Sequence, residues 1–157
     1  MRPARYVPKN TPTEVIIDNL AYVMQSMAES SESACSNGIG FLANMNGWRY
    51  EHFSVRYCSE FMTMLQQRGP PRVKLFLIVN PPTWFPSIWK IMKVTLSKEF
   101  RRKVFMIKES ALDEFLEPGF EDFLPDDMPR GETNTSELVN DFIAYRKYVE
   151  DAVGIDL

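Results

Sequence analysis

The strongest constraint on this chain is the run Val73-Lys74-Leu75-Phe76-Leu77-Ile78-Val79, which stops at Asn80-Pro81-Pro82 and is followed by Thr83-Trp84-Phe85 and Ile88-Trp89-Lys90-Ile91-Met92-Lys93. A short, nearly continuous apolar run rich in branched and aromatic residues reads as a strand buried on both faces, as in the middle of a parallel sheet. Proline has no N–H and cannot extend a strand ladder, so the double proline ends it. The chain then restarts as a helix with aromatics on its apolar side and lysines on its polar side. That pattern suits a wall beside a membrane surface.

Other segments alternate in the same way. Tyr6-Val7 is a short strand candidate ending at Pro8. Thr11-Pro12-Thr13-Glu14 predicts a helix start with Thr11 as cap, Pro12 at the first position and Glu14 closing a capping box. Ile16, Leu20, Val23, Met24 and Met27 carry that helix to about Ala28. Residues 29–38 read as a Ser-rich loop, 39–44 (Ile-Gly-Phe-Leu-Ala-Asn) as the next strand, and Asn46-Gly47 as a turn. An amphipathic segment using Val55, Phe61, Met62 and Leu65 stops near Gly69-Pro70-Pro71. A helix from about Pro86 to Leu96 and a strand at 104–107 follow, then a short helix to Leu116, a proline-bounded stretch to Pro129, and a last helix from about Thr135 to Val153. Strands alternating with helices predict an α/β fold, with a mostly parallel or mixed sheet flanked by helices, as a single domain over 1–157. Ligands of such open sheets usually sit at the carboxyl ends of the strands.

Composition fits that reading: 157 residues, of which 45% are hydrophobic and 25% charged, suffice for one packed core. The apolar runs are much shorter than the roughly 20 residues of a membrane-spanning helix, and the first residues lack the apolar core of a signal peptide. A cytoplasmic protein, peripheral to membranes, is expected. Cys35 and Cys58 have no metal-site spacing and read as reduced thiols. The net charge of −3 is unevenly spread: between Lys90 and Lys103 six basic residues meet only Glu99, whereas from Glu109 to Glu137 carboxylates dominate and meet only Arg130. A basic patch of this kind can approach anionic lipid headgroups. Two solvated faces is the alternative reading. Overall acidity and the lack of a recognition motif argue against nucleic acid.

Catalytic patterns are thin. A nucleophile elbow and a phosphate-binding loop are both missing, and Gly38-Ile39-Gly40 lacks the further glycine of a dinucleotide fingerprint. His52 is the one histidine and lies in a polar turn, which suits a surface or helix-start role better than a general base or a metal ligand. The acidic pairs lack the spacing of a calcium loop. No enzyme activity, cofactor or metal is expected.

Several of these segments together resemble the CRAL-TRIO lipid-binding family. Arg2-Pro3-Ala4-Arg5-Tyr6-Val7 is similar to the family's strand entry, Asn46-Gly47-Trp48 to the turn after its strand, and the 70–82 segment ending Asn80-Pro81-Pro82 to its strand leading into an Asn-x-Pro turn. The segment 84–96 resembles the mobile gate helix, and Leu124-Pro125-Asp126-Asp127 the closing motif; the resemblance spans about residues 2–132. The chain departs from the family in several respects. It has Met128-Pro129-Arg130-Gly131 in place of a Gly-Gly, the usual preceding helical subdomain is not expected in this sequence, Pro71 stands where phosphatidylinositol-binding members carry a glutamate, although Lys103 matches their lysine, and Ile39 and Phe41 stand where those members place hydroxyl residues, which implies a more apolar ligand or a different headgroup arrangement.

The resemblance implies a monomeric lipid-binding lobe that holds a phospholipid or other hydrophobic small molecule and makes transient peripheral contact with membranes. It implies Ile39, Phe41, Ala43, Leu77, Val79, Thr83, Phe85, Ile88, Trp89, Met92 and Lys103 as ligand-binding residues, and Lys90 and Lys93 as the membrane contact. Nine Met, eleven Phe and three Trp are ample to line an adaptable apolar pocket, although ordinary core packing would use them too. A protein-interaction module of the same fold, without lipid transfer, is the second reading.

Overall fold

A computed structural model of the chain describes residues 1–68, 72–128 and 130–154. The described residues fall into two compact units, 1–109 and 110–157.

In the first unit Pro3–Arg5 form a single 3-10 turn, followed by helix α1 (Thr13–Ser30), helix α2 (Glu32–Asn37) and strand β1 (Ile39–Asn44). A second 3-10 turn (Tyr50–His52) leads into helix α3 (Val55–Thr63), which widens into a π-helical turn over Met64–Arg68. Strand β2 (Val73–Val79), helix α4 (Phe85–Met92), a 3-10 turn (Lys93–Thr95), helix α5 (Lys98–Arg101) and strand β3 (Val104–Ile107) complete the unit. The three strands form a parallel sheet in the order β1-β2-β3, so the α/β class and the parallel sheet predicted from the sequence are present.

Strand β2 lies in the middle, as its composition requires. Its register sets Phe41 beside Phe76 and Phe76 beside Val104, then Ala43 beside Ile78 and Ile78 beside Met106. Paired residues of neighbouring strands share a sheet face, and alternate residues take opposite faces. On one face Phe76, 2% exposed, meets Phe41 and Phe61 edge-on with ring centroids 6.1 and 6.0 Å apart. Tyr57 stacks on Phe61 at 5.7 Å and also faces Tyr6. Phe85, Leu96 and Phe100, from the connection between β2 and β3, enter the same cluster as Phe61 from the connection between β1 and β2. Both crossovers therefore cover one face of the sheet. Leu77 and Val79 are buried on the other.

The helices start and stop where side chains satisfy their ends. Ser54 Oγ accepts from Tyr57 N at the start of α3 and Ser97 Oγ from Phe100 N at the start of α5, each 3.1–3.2 Å. Gly38 ends α2 at φ 83°, and any Cβ there would meet the Arg72 carbonyl oxygen.

Four local expectations are corrected. Tyr6-Val7 is not a strand: Pro3 opens a 3-10 turn whose carbonyl accepts from Tyr6 N. Pro12, not Thr11, holds the cap position of α1, with no side-chain cap bond. Most of the predicted 29–38 loop is helical: α1 runs on through Ser30, and Glu32–Asn37 form α2, because Ser31 Oγ accepts from Ala34 N and Gly38 closes the helix, a cap pattern hidden by the serine-rich composition. The helix predicted over 86–96 ends at Met92 and tightens into a 3-10 turn before Leu96. The expected stop at Gly69-Pro70-Pro71 and the Pro71 substitution lie outside the described residues, as does Pro129.

The second unit comprises two 3-10 turns (Glu109–Glu114, which begins in the first unit, and Phe120–Phe123) and helix α6 (Thr135–Val153). Asn134 Oδ1 accepts from Ser136 N and Glu137 N to cap α6, and Gly154 closes it in the left-handed conformation.

Because Phe76 joins the aromatic layer to the central strand, Phe76→Ala is expected to cost about 3–5 kcal/mol. A lowered urea midpoint with an unchanged slope would report it.

Candidate functional site

Helices α3 and α4 lie side by side over the sheet but do not close completely, leaving an apolar groove of about 360 Å³. One wall is Val55, Cys58, Ser59 and Met62; the other is Ile88, Ile91, Met92 and Thr95. Each set is spaced at i, i+3, i+4 and i+7, so one face of α3 supplies one wall, and one face of α4 with the 3-10 turn that continues it supplies the other. Tyr50 and Phe53 close one end. Its volume lies at the lower end of the range for small-molecule sites.

The end wall is held by an aromatic cluster. Trp48 packs on Trp84 at 4.8 Å and on Phe85 at 5.6 Å, while Tyr50 meets Trp84 at 5.7 Å. His52 Nδ1 accepts from Arg49 N at 3.1 Å, so the lone histidine caps the turn that presents Tyr50. The mouth is apolar: Tyr50, Val55 and Ile91 are 69%, 71% and 74% exposed. Three such residues gathered at one cavity form a patch that water solvates poorly.

Of the residues singled out in the sequence, Ile88 and Met92 line this groove. Trp89 stacks on Phe85 at 6.4 Å, and Phe85 is buried in the core behind the groove. Ile39, Phe41 and Ala43 lie on the sheet face beneath, covered by Phe61 and its neighbours, while Leu77 and Val79 belong to the opposite face. Thr83 is exposed in the turn before α4. Lys90 and Lys93 are exposed on the outer side of the α4 segment, beside the exposed Ile91 and Val94. Sequence reasoning missed Tyr50, Phe53, Val55, Cys58, Ser59, Met62, Ile91 and Thr95 as a group. The signal was the matched pair of stripes, obscured because Cys58 and Ser59 are only weakly apolar.

Lys103 lines a different, polar cavity of about 130 Å³ together with Arg72, Gln66, Ser97 and Glu99. Its ammonium binds Glu99 Oε1 at 2.8 Å, and that hydrogen bond, with the charge of Lys103 behind it, lowers the Glu99 pKa. Among the described residues no group of three or more His, Cys, Asp or Glu side chains can hold a metal ion, and no helix is long and apolar enough to cross a membrane.

Cys35 and Cys58 are both free thiols, the first exposed and the second buried against the groove. Burial pushes the Cys58 pKa from 9.0 up to about 12, and also raises that of its neighbour Tyr57. At neutral pH Cys58 is therefore a small apolar lining group, not a nucleophile.

A model of the CRAL/TRIO domain matches residues 1–128. The chain is 27% identical over 109 residues to Tyrosine-protein phosphatase non-receptor type 9 of Homo sapiens, a match covering 69% of this chain and 18% of the phosphatase. It is 28% identical over 109 residues to the Homo sapiens protein Alpha-tocopherol transfer protein-like, covering 68% of this chain and 32% of that protein, and 29% identical to its Mus musculus counterpart. The match thus spans about a third or less of the length of these curated relatives.

The thiols give a direct check. Maleimide is expected to label Cys35 in the native protein and Cys58 only on unfolding, as peptide mapping would report. Because the folded state raises the Cys58 pKa, its contribution to stability is present below about pH 9 and is lost as the pH rises from 9 towards 12, Tyr57 adding in the same direction. Urea midpoints from pH 8 to 10.5 should therefore fall, and fall less in Cys58→Ala.

Proposed function

The chain belongs to the CRAL/TRIO domain family, and from that membership we propose that it binds a small hydrophobic ligand or phospholipid in the groove between α3 and α4 and transfers or presents it at membranes. The observation that carries this reading is the open apolar groove itself, walled by α4 on one side. Apolar surface left facing water is unfavourable, and a lipid chain that fills it removes that cost. A relative named for tocopherol transfer supports an apolar cargo. The reading is of a binding module without chemistry: the groove lining offers three hydroxyls, on Tyr50, Ser59 and Thr95, and one protonated thiol, with no base among the lining residues to activate them.

On this reading α4 is the moving gate. Its inner stripe, Ile91 included, covers the ligand, whereas Lys90 and Lys93 stand ready for phosphate groups and the exposed Val94 for the bilayer interface. The residues Ile88 and Met92 hold the ligand directly, with the aromatic cluster of Trp48, Trp84 and Phe85 as backing. Lys103, in the separate polar cavity, contributes to a headgroup only if the ligand reaches past Thr95.

Native mass spectrometry after incubation with a mixed lipid extract should yield a non-covalent adduct of lipid mass on the wild-type chain. Ser59→Trp, a bulky change at an exposed position of the groove wall, should abolish the adduct while leaving the circular dichroism spectrum unchanged. An adduct-free wild-type spectrum would overturn the proposal and favour a protein-interaction module of the same fold.

For the membrane role, Lys90→Glu with Lys93→Glu should slow exchange of a fluorescent lipid with anionic vesicles by about tenfold or more, since each cation near such a surface is worth about 1 kcal/mol. The effect should shrink with added salt. Unchanged exchange at low ionic strength would remove the membrane contact from this helix.

A further inference from the structure

Past its last groove residue, Thr95, a side-chain hydrogen bond ties the α4 segment to the π-helical turn that extends α3. Ser97 N donates to Gln66 Oε1 at 2.8 Å, across 31 residues of sequence. Gln66 lies in the π-helical turn that extends α3, and its Nε2 donates to Met62 O at 3.1 Å. Both ends of its carboxamide are thus engaged: one holds the chain just beyond the gate, the other holds the turn containing Met62, a groove-wall residue. π-Helical turns interrupt the regular ladder and recur at functional positions.

The remainder of the α4 segment is anchored differently. Phe85 is fixed at its start by Trp48 and Trp84, and Leu96 and Phe100 are buried after its end, 3% and 4% exposed. Between these anchors Ile91 and Val94 are open to solvent. The Gln66–Ser97 bond lies on the wall of the polar cavity, where water can replace it. The bond is therefore breakable without unpacking the core.

We infer that Gln66 is a positioning residue that latches the gate, setting how fast the groove exchanges its ligand. This inference rests on the groove being the ligand site. Breaking the latch favours the open form of both empty and filled protein. Association and dissociation should then accelerate together while affinity hardly moves. A residue that merely stabilised the fold would give a different pattern, lowering the unfolding midpoint without moving both rates.

The test uses the full chain, with Gln66→Ala to remove the latch and Gln66→Glu to keep a side-chain acceptor for Ser97 N. Two readouts are needed. Hydrogen exchange at the Ser97 amide of the ligand-free protein reports the bond, and stopped-flow binding of dansyl-undecanoic acid reports the groove. In Gln66→Ala, Ser97 exchange and both probe rate constants should rise by about two- to tenfold, the range for one solvent-replaceable hydrogen bond, with the dissociation constant within about twofold of wild type. Gln66→Glu, which keeps the acceptor for Ser97 N but loses the donor to Met62 O, should bring Ser97 exchange and the probe rates back towards wild type at pH 7.5. Unchanged Ser97 exchange in Gln66→Ala would overturn the latch itself. Faster Ser97 exchange with unaltered probe rates would overturn its control of the groove. If the probe binds neither the wild type nor the variants while Ser97 exchange still responds, the groove is not the ligand site and the regulatory role falls with it, although the bond stands.

Discussion

Strand β2 is the constraint on which the rest of the first unit depends. It pairs in parallel with a neighbour on each side, so its backbone groups are taken up by β1 and β3 and both of its faces need cover. Parallel neighbours cannot be joined by a tight hairpin, so a crossover must run from β1 to β2 and another from β2 to β3. Those crossovers are α3 and the α4–α5 segment. Because the strand order follows the chain order, they become neighbours over the same sheet face. The groove is thus the seam between consecutive crossovers, and its position follows from topology before any side chain is chosen.

Side chains decide that the seam stays open. Towards the sheet, α3 presents Tyr57 and Phe61, and the aromatic rings fill the space down to Phe76. Towards α4 it presents Val55, Cys58, Ser59 and Met62, the first three too small to reach across to the facing helix. Large residues on the sheet side and mainly small ones on the α4 side give a helix that is firmly seated yet leaves room beside it. Protein interiors otherwise pack at the density of organic crystals, so a gap of this size between two well-anchored helices is unusual.

The sheet was legible because its signals are local. β1, β2 and β3 begin and end at the predicted residues, since each is a short apolar run, closed at Asn44 in β1, by Asn80-Pro81 after β2 and by lysines on both sides of β3, and α6 likewise runs from its Asn cap to its terminal Gly. Errors came where one signal masked another: serine richness concealed the caps of α2, and a two-residue apolar pair at Tyr6-Val7 looked like a strand although Pro3 commits the chain to a 3-10 turn. The groove was only half legible. The α4 stripe was visible from its period, giving Ile88 and Met92, but its partner wall depends on which helix the topology brings alongside, and no local pattern states that. The β1 residues Ile39, Phe41 and Ala43 lie on one sheet face and the β2 residues Leu77 and Val79 on the other, a division that follows from register and not from hydrophobicity.

A cleft with one helical segment for each side wall has a particular mechanical property. Its breadth is one number, the spacing between two rods, whereas its length is bounded at one end by the Tyr50–Phe53 rings. Guests of different thickness can be admitted by one small translation of α4, with every side chain keeping its rotamer. Guests of different length meet fixed aromatic rings at that end. If the groove is the ligand site we propose, its discrimination is loose in girth and strict in reach: a stout ring and a slender chain can share it, while extra carbons emerge beside Thr95.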